Sequence, residues 1–161
     1  MNLLFTPWRR KYVVEGEGRD DSCVFCRLPD EEERDFLLET EHWYLVLNAY
    51  PYCNGHMMLV SRRHLSWLSD LSSEEMMEMP ALLARAESAL RIAYSPDGMN
   101  LGINIGSAAG AGVPGHLHIH LLPRWIGDTN FMTSLGETRI LPEEISLTFE
   151  KLSKALEEGH G

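Results

Sequence analysis

A chain of 161 residues, 44% hydrophobic and 24% charged, is long enough for one domain with a real core and reads as an ordinary globular protein. Its formal net charge of -10 excludes a protein that coats nucleic-acid polymers, which needs clustered Lys and Arg, but leaves room for a small anion in a local pocket. No apolar run approaches the roughly 20 residues of a membrane span. The start "MNLLFTPWRRKY" lacks the apolar centre of a signal peptide, and three cysteines make a poor disulfide framework, so the cytoplasm is the expected address.

Residues 1–19 mix aromatic and basic side chains and run into the Gly/Glu-rich "EGEGRDD", which predicts an N-terminal arm; residues 20–161 are expected to form one domain. The charge run "PDEEERD" (29–35) reads as a solvated loop. "HWYLVLN" (42–48) and "HMMLV" (56–60), separated by the turn-rich "AYPYCNG", predict a hairpin-like strand pair. Ser72 and Glu75 then have capping-box spacing, and Leu82, Leu83, Ala86, Ala89, Leu90 and Ala93 recur at helical intervals. Pro80 should kink the first turns, and "SPDG" (95–98) should end the helix. Met76, Met77 and Met79 are expected in core or interface packing. Leu101, Ile103 and Ile105 alternate in "MNLGINIG" (99–106), a strand pattern, and Pro142 opens a second helical pattern through Ile145, Phe149, Leu152 and Leu156. The order β-β-α-β-β-α favours an α+β domain with an antiparallel sheet.

The densest chemistry lies in "PGHLHIHLLPRW" (114–125). Three of the seven histidines, His116, His118 and His120, occupy alternate positions there. On a strand they would share one face, about 6.6 Å apart, while Leu117, Ile119 and Leu121 enter a core. Such a row is a chance feature of a half-exposed strand, a metal site, a set of histidines satisfied by backbone groups, or a catalytic array, since imidazole titrates near neutrality and serves as nucleophile or proton carrier. The preceding loop "GSAAGAGVPG" (106–115) holds four glycines and three alanines, so its amides can approach an anion closely. "GAGVPG" within it has the GxGxxG letters, but a strand follows where a dinucleotide fingerprint needs a helix, and no lysine makes it a Walker loop. Beside three histidines a phosphate cradle is the better reading than a surface turn.

"CVFC" (23–26) leaves three options open: redox chemistry, zinc, or neither. "DSCVFCRLPD" does not clearly offer the strand-to-helix setting of a thioredoxin-like site, and zinc needs four nitrogen or sulfur ligands. Cys53 is unassigned, and its CxxH spacing to His56 keeps it as a rival ligand. Arg62, Arg63 and Arg124 are either surface charges or a basic approach for an anionic substrate.

These residues together resemble the histidine triad (HIT) superfamily of nucleotide hydrolases and transferases. Its signature His-φ-His-φ-His-φ-φ, with φ apolar, is matched throughout by "HLHIHLL" (116–122). "LNAYPYCNGHMMLVSRRH" (47–64) resembles the family's strand–loop–strand with a fourth histidine. "NIGSAAGAGVPGHLHIHLLPRWIGDTNFM" (104–132) and "TPWRRKY" (6–12) resemble the branch of dinucleoside polyphosphate hydrolases and phosphorylases.

The resemblance implies a HIT-like α+β fold: a five-stranded antiparallel sheet per subunit with two main helices, the sheet continued across a homodimer. It makes His118 the nucleophile toward an α-phosphorus, with water or phosphate as acceptor. His116, His120 and His56 complete the catalytic set, Asn48 reaches the ribose, and Ser107, Gly110, Gly112 and Gly115 belong to the phosphate-holding loop. Relatives with a structural zinc imply the ligand set Cys23, Cys26, His64 and His116. One feature departs from many members: no Gln-Ser or Gln-Thr pair precedes His116, Ser107 is the nearest hydroxyl, and the loop is one residue longer. That departure counts against a purine nucleoside phosphoramidase and favours the polyphosphate branch; a zinc-containing nucleotide-binding module without turnover is the rival from another class.

Overall fold

In the computed structural model, residues 23–30, 36–128 and 143–159 are described. Five strands, Phe36–Glu39 (β1), Trp43–Leu47 (β2), Met57–Ser61 (β3), Gly98–Ile103 (β4) and His118–Arg124 (β5), make one sheet in the order β1-β2-β3-β5-β4. Every neighbouring pair is antiparallel. The one-turn helix Val24–Arg27 (α1) precedes the sheet, Ser73–Tyr94 (α2) connects β3 to β4, and Ile145–Glu158 (α3) follows β5. The arm 1–19, most of the 29–35 charge run, Pro142 and the 129–132 part of "GDTNFM" lie outside the described residues.

The expected α+β sheet is present, and its first strand, β1, follows directly on the 29–35 charge run, in residues that no pattern singled out. Its four residues, FLLE, are too few to display alternation, and a register shift between Phe36 and Leu38 breaks the period. Alternation then divides the sheet into two faces. Trp43, Leu45, Met57, Leu59, Ile119 and Leu121 pack against Leu82, Ala86, Ala89 and Leu90 of α2 and Leu152, Ala155 and Leu156 of α3. Tyr44, Val46, Met58 and Val60 form a smaller cluster on the other face, covered by Phe25 of α1. Helices on one side and a thin lid on the other leave part of that second face for chemistry.

Ser72 caps α2 as its spacing predicts: its hydroxyl accepts from the Glu75 amide, and the Glu75 carboxylate accepts from the Ser72 amide. Pro80 does not end the helix. It lies inside α2 at an exposed position and leaves the Met76 carbonyl without its ladder donor. Exposure separates residues that the sequence patterns grouped. Met79 packs against the core, but Met77 is 73% exposed and Met76 is also open. Leu101 pairs across from buried Leu121 yet is 47% exposed on β4, the edge strand of the sheet.

Tyr94 of α2 and Thr148 and Lys151 of α3 all donate to the Glu143 carboxylate, tying the two helices together. Among the described residues no helix is long and apolar enough to cross a membrane.

Candidate active site and metal centre

β5 lies between β3 and β4, so its side chains are flanked by backbone on both sides. His118 pairs with Val60, and His120 pairs with Met58 and Gly102, placing both imidazoles on the face away from the helices. His116 is different. It precedes the strand in a bend, yet Leu117 after it enters the helix-side core with Ile119 and Leu121, and its ring meets Phe25 as the His118 ring does, so the alternation carries through all three histidines. The bend turns its ring toward the segment bearing the cysteines.

Each ring's protonation pattern follows from an acceptor or donor that has no choice. The His116 carbonyl lies 2.7 Å from His118 Nδ1, and a carbonyl accepts only, so Nδ1 carries the proton and Nε2 the lone pair. Burial also holds the His118 imidazole below the usual histidine range, opposed by that hydrogen bond. A neutral ring with an unprotonated Nε2 is the form in which histidine is a nucleophile.

His56 sits at the end of the β2–β3 turn. The Tyr52 amide donates to its Nδ1 at 3.1 Å, so the proton is on Nε2, which donates in turn to His120 Nδ1 at 2.9 Å. His120 must then carry its own proton on Nε2. A directed chain results, from backbone amide through two imidazoles, ending in a donor beside His118; the His118 and His120 ring centroids are 5.0 Å apart. Gly55 makes this turn possible. Its φ is +76°, and a Cβ there would meet Leu90 at 3.0 Å and Pro123 and Tyr94 at 3.2 Å, so a side chain is excluded by both conformation and space.

Asn48 also belongs to this turn. Its Oδ1 accepts from the Tyr50 amide at 2.9 Å, and its Nδ2 approaches His56 Nε2 at 3.4 Å, a meeting of two donors given the His56 tautomer. Cys53 donates to the Pro123 carbonyl at 3.4 Å and is not part of the metal-type cluster.

In the 106–115 loop, Ser107 opens a 3-10 turn, and the amides of Ala109, Gly110 and Ala111 all bond to carbonyls of Gly106 or Ser107. Gly106 and Gly110 therefore supply left-handed backbone, with φ of +77° and +83°, and Gly110 does not offer its amide outward. Gly112 lies in the bend that follows. Gly115 borders His64, since a Cβ there would sit 3.5 Å from its Nε2.

A second cluster lies at the start of β5. Sγ of Cys23 and of Cys26 stand 3.4 and 3.5 Å from His116 Nδ1, and Cys26 Sγ is 3.2 Å from His64 Nδ1. The four ligand atoms all lie within 4.8 Å of one another, and all three cysteines are free thiols. His116 Nε2 donates to the Ser61 carbonyl at 2.6 Å, which leaves its Nδ1 lone pair aimed at the sulfurs. Metal–sulfur bonds of about 2.3 Å and metal–nitrogen bonds of about 2.0 Å put tetrahedral ligand atoms about 3.3–3.8 Å apart, so the donor set fits a zinc ion in number, chemistry and spacing.

Arg62, Arg63 and Arg124 do not form a basic approach. Each is paired with a carboxylate: Arg62 with Glu39 at 2.8 Å, Arg63 with Glu75 at 2.6 Å, and Arg124 with Asp128 at 2.5 Å. Residue patterns missed several supports of the site, notably Gly55, the Ser61 carbonyl, Tyr44 and Phe25. Of these only the apolar pair between the cysteines leaves a trace in the sequence, and nothing local says that Phe25 reaches the histidines.

A helix-backed antiparallel sheet with an interior strand that carries a nucleophile-competent histidine and a directed histidine donor defines a histidine triad protein. Residues 30–125 match the HIT domain, and the chain belongs to that family. It is 36% identical over 152 residues to the AP-4-A phosphorylase of Mycobacterium tuberculosis, covering 89% of this chain and 78% of that protein. Adenosine 5'-monophosphoramidase HNT1 of Saccharomyces cerevisiae is 29% identical over 106 residues, 65% of this chain and 64% of its own. Among solved structures, a Zn-bound histidine triad family protein from Mycobacterium smegmatis superposes with a TM-score of 0.70 at 28% identity, covering 85% of this chain and 94% of that one.

Proposed function

We propose that this HIT-family enzyme cleaves dinucleoside polyphosphates of the diadenosine tetraphosphate type through a covalent nucleotidyl-histidine, with phosphate as the preferred acceptor. The observation that carries the reading is the His118 ring, its Nδ1 proton committed to the His116 carbonyl and its Nε2 left as a lone pair. In the first step Nε2 attacks an α-phosphorus, a P–N bond forms, and the P–O bond to the remaining polyphosphate breaks, releasing ATP from diadenosine tetraphosphate. In the second, a phosphate oxygen attacks the same phosphorus, the P–N bond breaks, and ADP leaves with His118 restored to its neutral form. Water in the second step gives AMP instead.

His120, oriented by His56, donates from Nε2 to a phosphate oxygen as charge shifts during transfer, and His116 serves through its carbonyl. Asn48 is assigned to the ribose. Ser107, Gly112 and Gly115 are assigned to the acceptor side, and Gly110 shapes the loop. Likeness to an AP-4-A phosphorylase supports the substrate class. A phosphoramidase reading draws on the lower identity to HNT1, and the lack of a hydroxyl side chain between Ser107 and His116 counts against it.

Cys23, Cys26, His64 and His116 are the residues that would hold zinc. With four protein ligands and no open position, the ion supplies cross-linking and no chemistry at phosphorus. The exposed edge of β4, with Leu101 bare, supports a homodimer whose sheet continues across two copies. Free thiols in the ligand set suit a reducing, cytoplasmic setting.

The deciding experiment supplies diadenosine tetraphosphate with labelled phosphate. Label in ADP, formed together with ATP, is expected. AMP and ATP produced at a rate indifferent to phosphate make the enzyme a hydrolase, and nucleotide binding without any product makes it a binding module.

A further inference from the structure

Phe25 stands between the two cysteines of the metal cluster, in a helix of a single turn. Val24 beside it is exposed, whereas Phe25 is only 6% exposed and turns into the sheet. Its ring meets two histidines at once: centroids lie 5.0 Å from His118 and 5.5 Å from His116. The backbone of the same residue is anchored, because the Tyr44 hydroxyl donates to the Phe25 carbonyl at 2.7 Å. Tyr44 is itself buried in β2, so the anchor is part of the sheet.

A single hydrogen bond at Nδ1 does not fix an imidazole. The ring can still swing about that bond, and a turn about its second torsion exchanges the positions of nitrogen and carbon. His118 is 3% exposed, and the rings that pack on it are Phe25 and His120, each with its centroid 5.0 Å away. His120 is already held by His56. Phe25 is the other ring against it, and its place depends on Cys23, Cys26 and Tyr44.

We propose that Phe25 is a positioning residue for the nucleophile: the cysteine turn carries its ring onto His118 and holds that imidazole in the Nδ1–H form with Nε2 toward the substrate. The cluster of Cys23, Cys26, His64 and His116 thereby acts on the reaction from two directions, through the His116 carbonyl and through Phe25. This rests on His118 being the nucleophile.

The test uses the full chain, isotopically labelled so that imidazole nitrogen spectra report the His118 tautomer, with metal content and steady-state rates on diadenosine tetraphosphate measured in parallel. Phe25→Leu is expected to keep its metal and to change the His118 signal from one Nδ1–H form to a mixture. Its kcat should fall on the order of 10- to 100-fold while KM stays within about twofold. Phe25→Tyr, which keeps the ring, should restore the single form and most of kcat.

A Phe25→Leu protein with unaltered tautomer and unaltered kcat overturns the proposal. So does a rise in KM alone with the tautomer unchanged, which makes Phe25 a substrate contact. If Phe25→Leu does not fold, Tyr44→Phe, which removes only the anchor on the Phe25 carbonyl, decides: a smaller shift in the same direction supports the role, and a wild-type spectrum and rate sink it. Absence of turnover in every protein, wild type included, defeats the nucleophile reading, while the tautomer spectra still decide whether Phe25 orients the ring.

Discussion

Two histidine clusters sit within a few residues of each other, and they are built in opposite ways. At Cys23, Cys26, His64 and His116, Nδ1 atoms and thiols converge on one point, an arrangement of electron pairs that is stable only around a cation or a shared proton. At His56, His118 and His120 the donors and acceptors alternate, so that one ring ends with a lone pair and another with a proton. The same side chain offers a lone pair or a proton according to what its other nitrogen touches. His116 belongs to both clusters, by its ring to the first and by its carbonyl to the second.

The largest expected effect separates the two. His118→Ala should abolish turnover, by at least about a thousandfold, while nucleotide binding and metal content stay near wild type. A quenched wild-type reaction should carry an acid-labile nucleotidyl adduct that the variant lacks. Near-normal rates in the variant would remove His118 from the reaction and leave the directed histidine chain without its purpose.

The converse change attacks the first cluster. The double variant Cys23→Ser and Cys26→Ser should lose its metal and melt at lower temperature, because a closed metal site contributes to folding directly. Some activity should survive, since the His118–His116 hydrogen bond does not pass through the ion. Stoichiometric zinc in the double variant, measured after washing with chelator, would overturn the ligand set.

A smaller effect tests how the His64 side of that cluster is held. The guanidinium of Arg63, two bonds of 2.6 and 2.7 Å, holds the Glu75 carboxyl down to about 2. A carboxyl depressed in the folded state stabilises the fold above its unfolded value, and that contribution is lost as the pH falls from about 5 toward 2. The shift alone corresponds to about 3 kcal/mol, but Arg63 is 57% exposed, and solvent screening brings the expectation to about 1–2 kcal/mol. Glu75→Gln should therefore flatten the acid limb of the stability curve. Identical limbs in urea titrations at about pH 6 and pH 3 would show that the bridge contributes nothing.

Much of this was legible before the structure. The capping box at Ser72 and the apolar spacing of α2 are local features, decided within a few residues of chain, and the structure has both. Alternation in "HLHIHLL" correctly separates Ile119 and Leu121 from His118 and His120. It does not reveal that His116 lies in a bend ahead of the strand, although Leu117 and the His116 ring keep to the same two faces. The three arginines illustrate the other limit: sequence shows three cations, while Glu39, Glu75 and Asp128, which neutralise them, are named by the fold.

What the sequence by itself determined was the two-faced sheet, the helix caps, and the residue types able to ligate or attack, since periodicity and functional groups are properties of short segments. The His116 carbonyl and the Tyr52 amide lie within four residues of the rings they fix, but as backbone groups they have no letter in the sequence. Only tertiary structure decided the rest of the protonation pattern, because the Ser61 carbonyl that fixes His116 and the His56 nitrogen that fixes His120 are distant in the chain and are brought to those rings by the β3–β5 pairing.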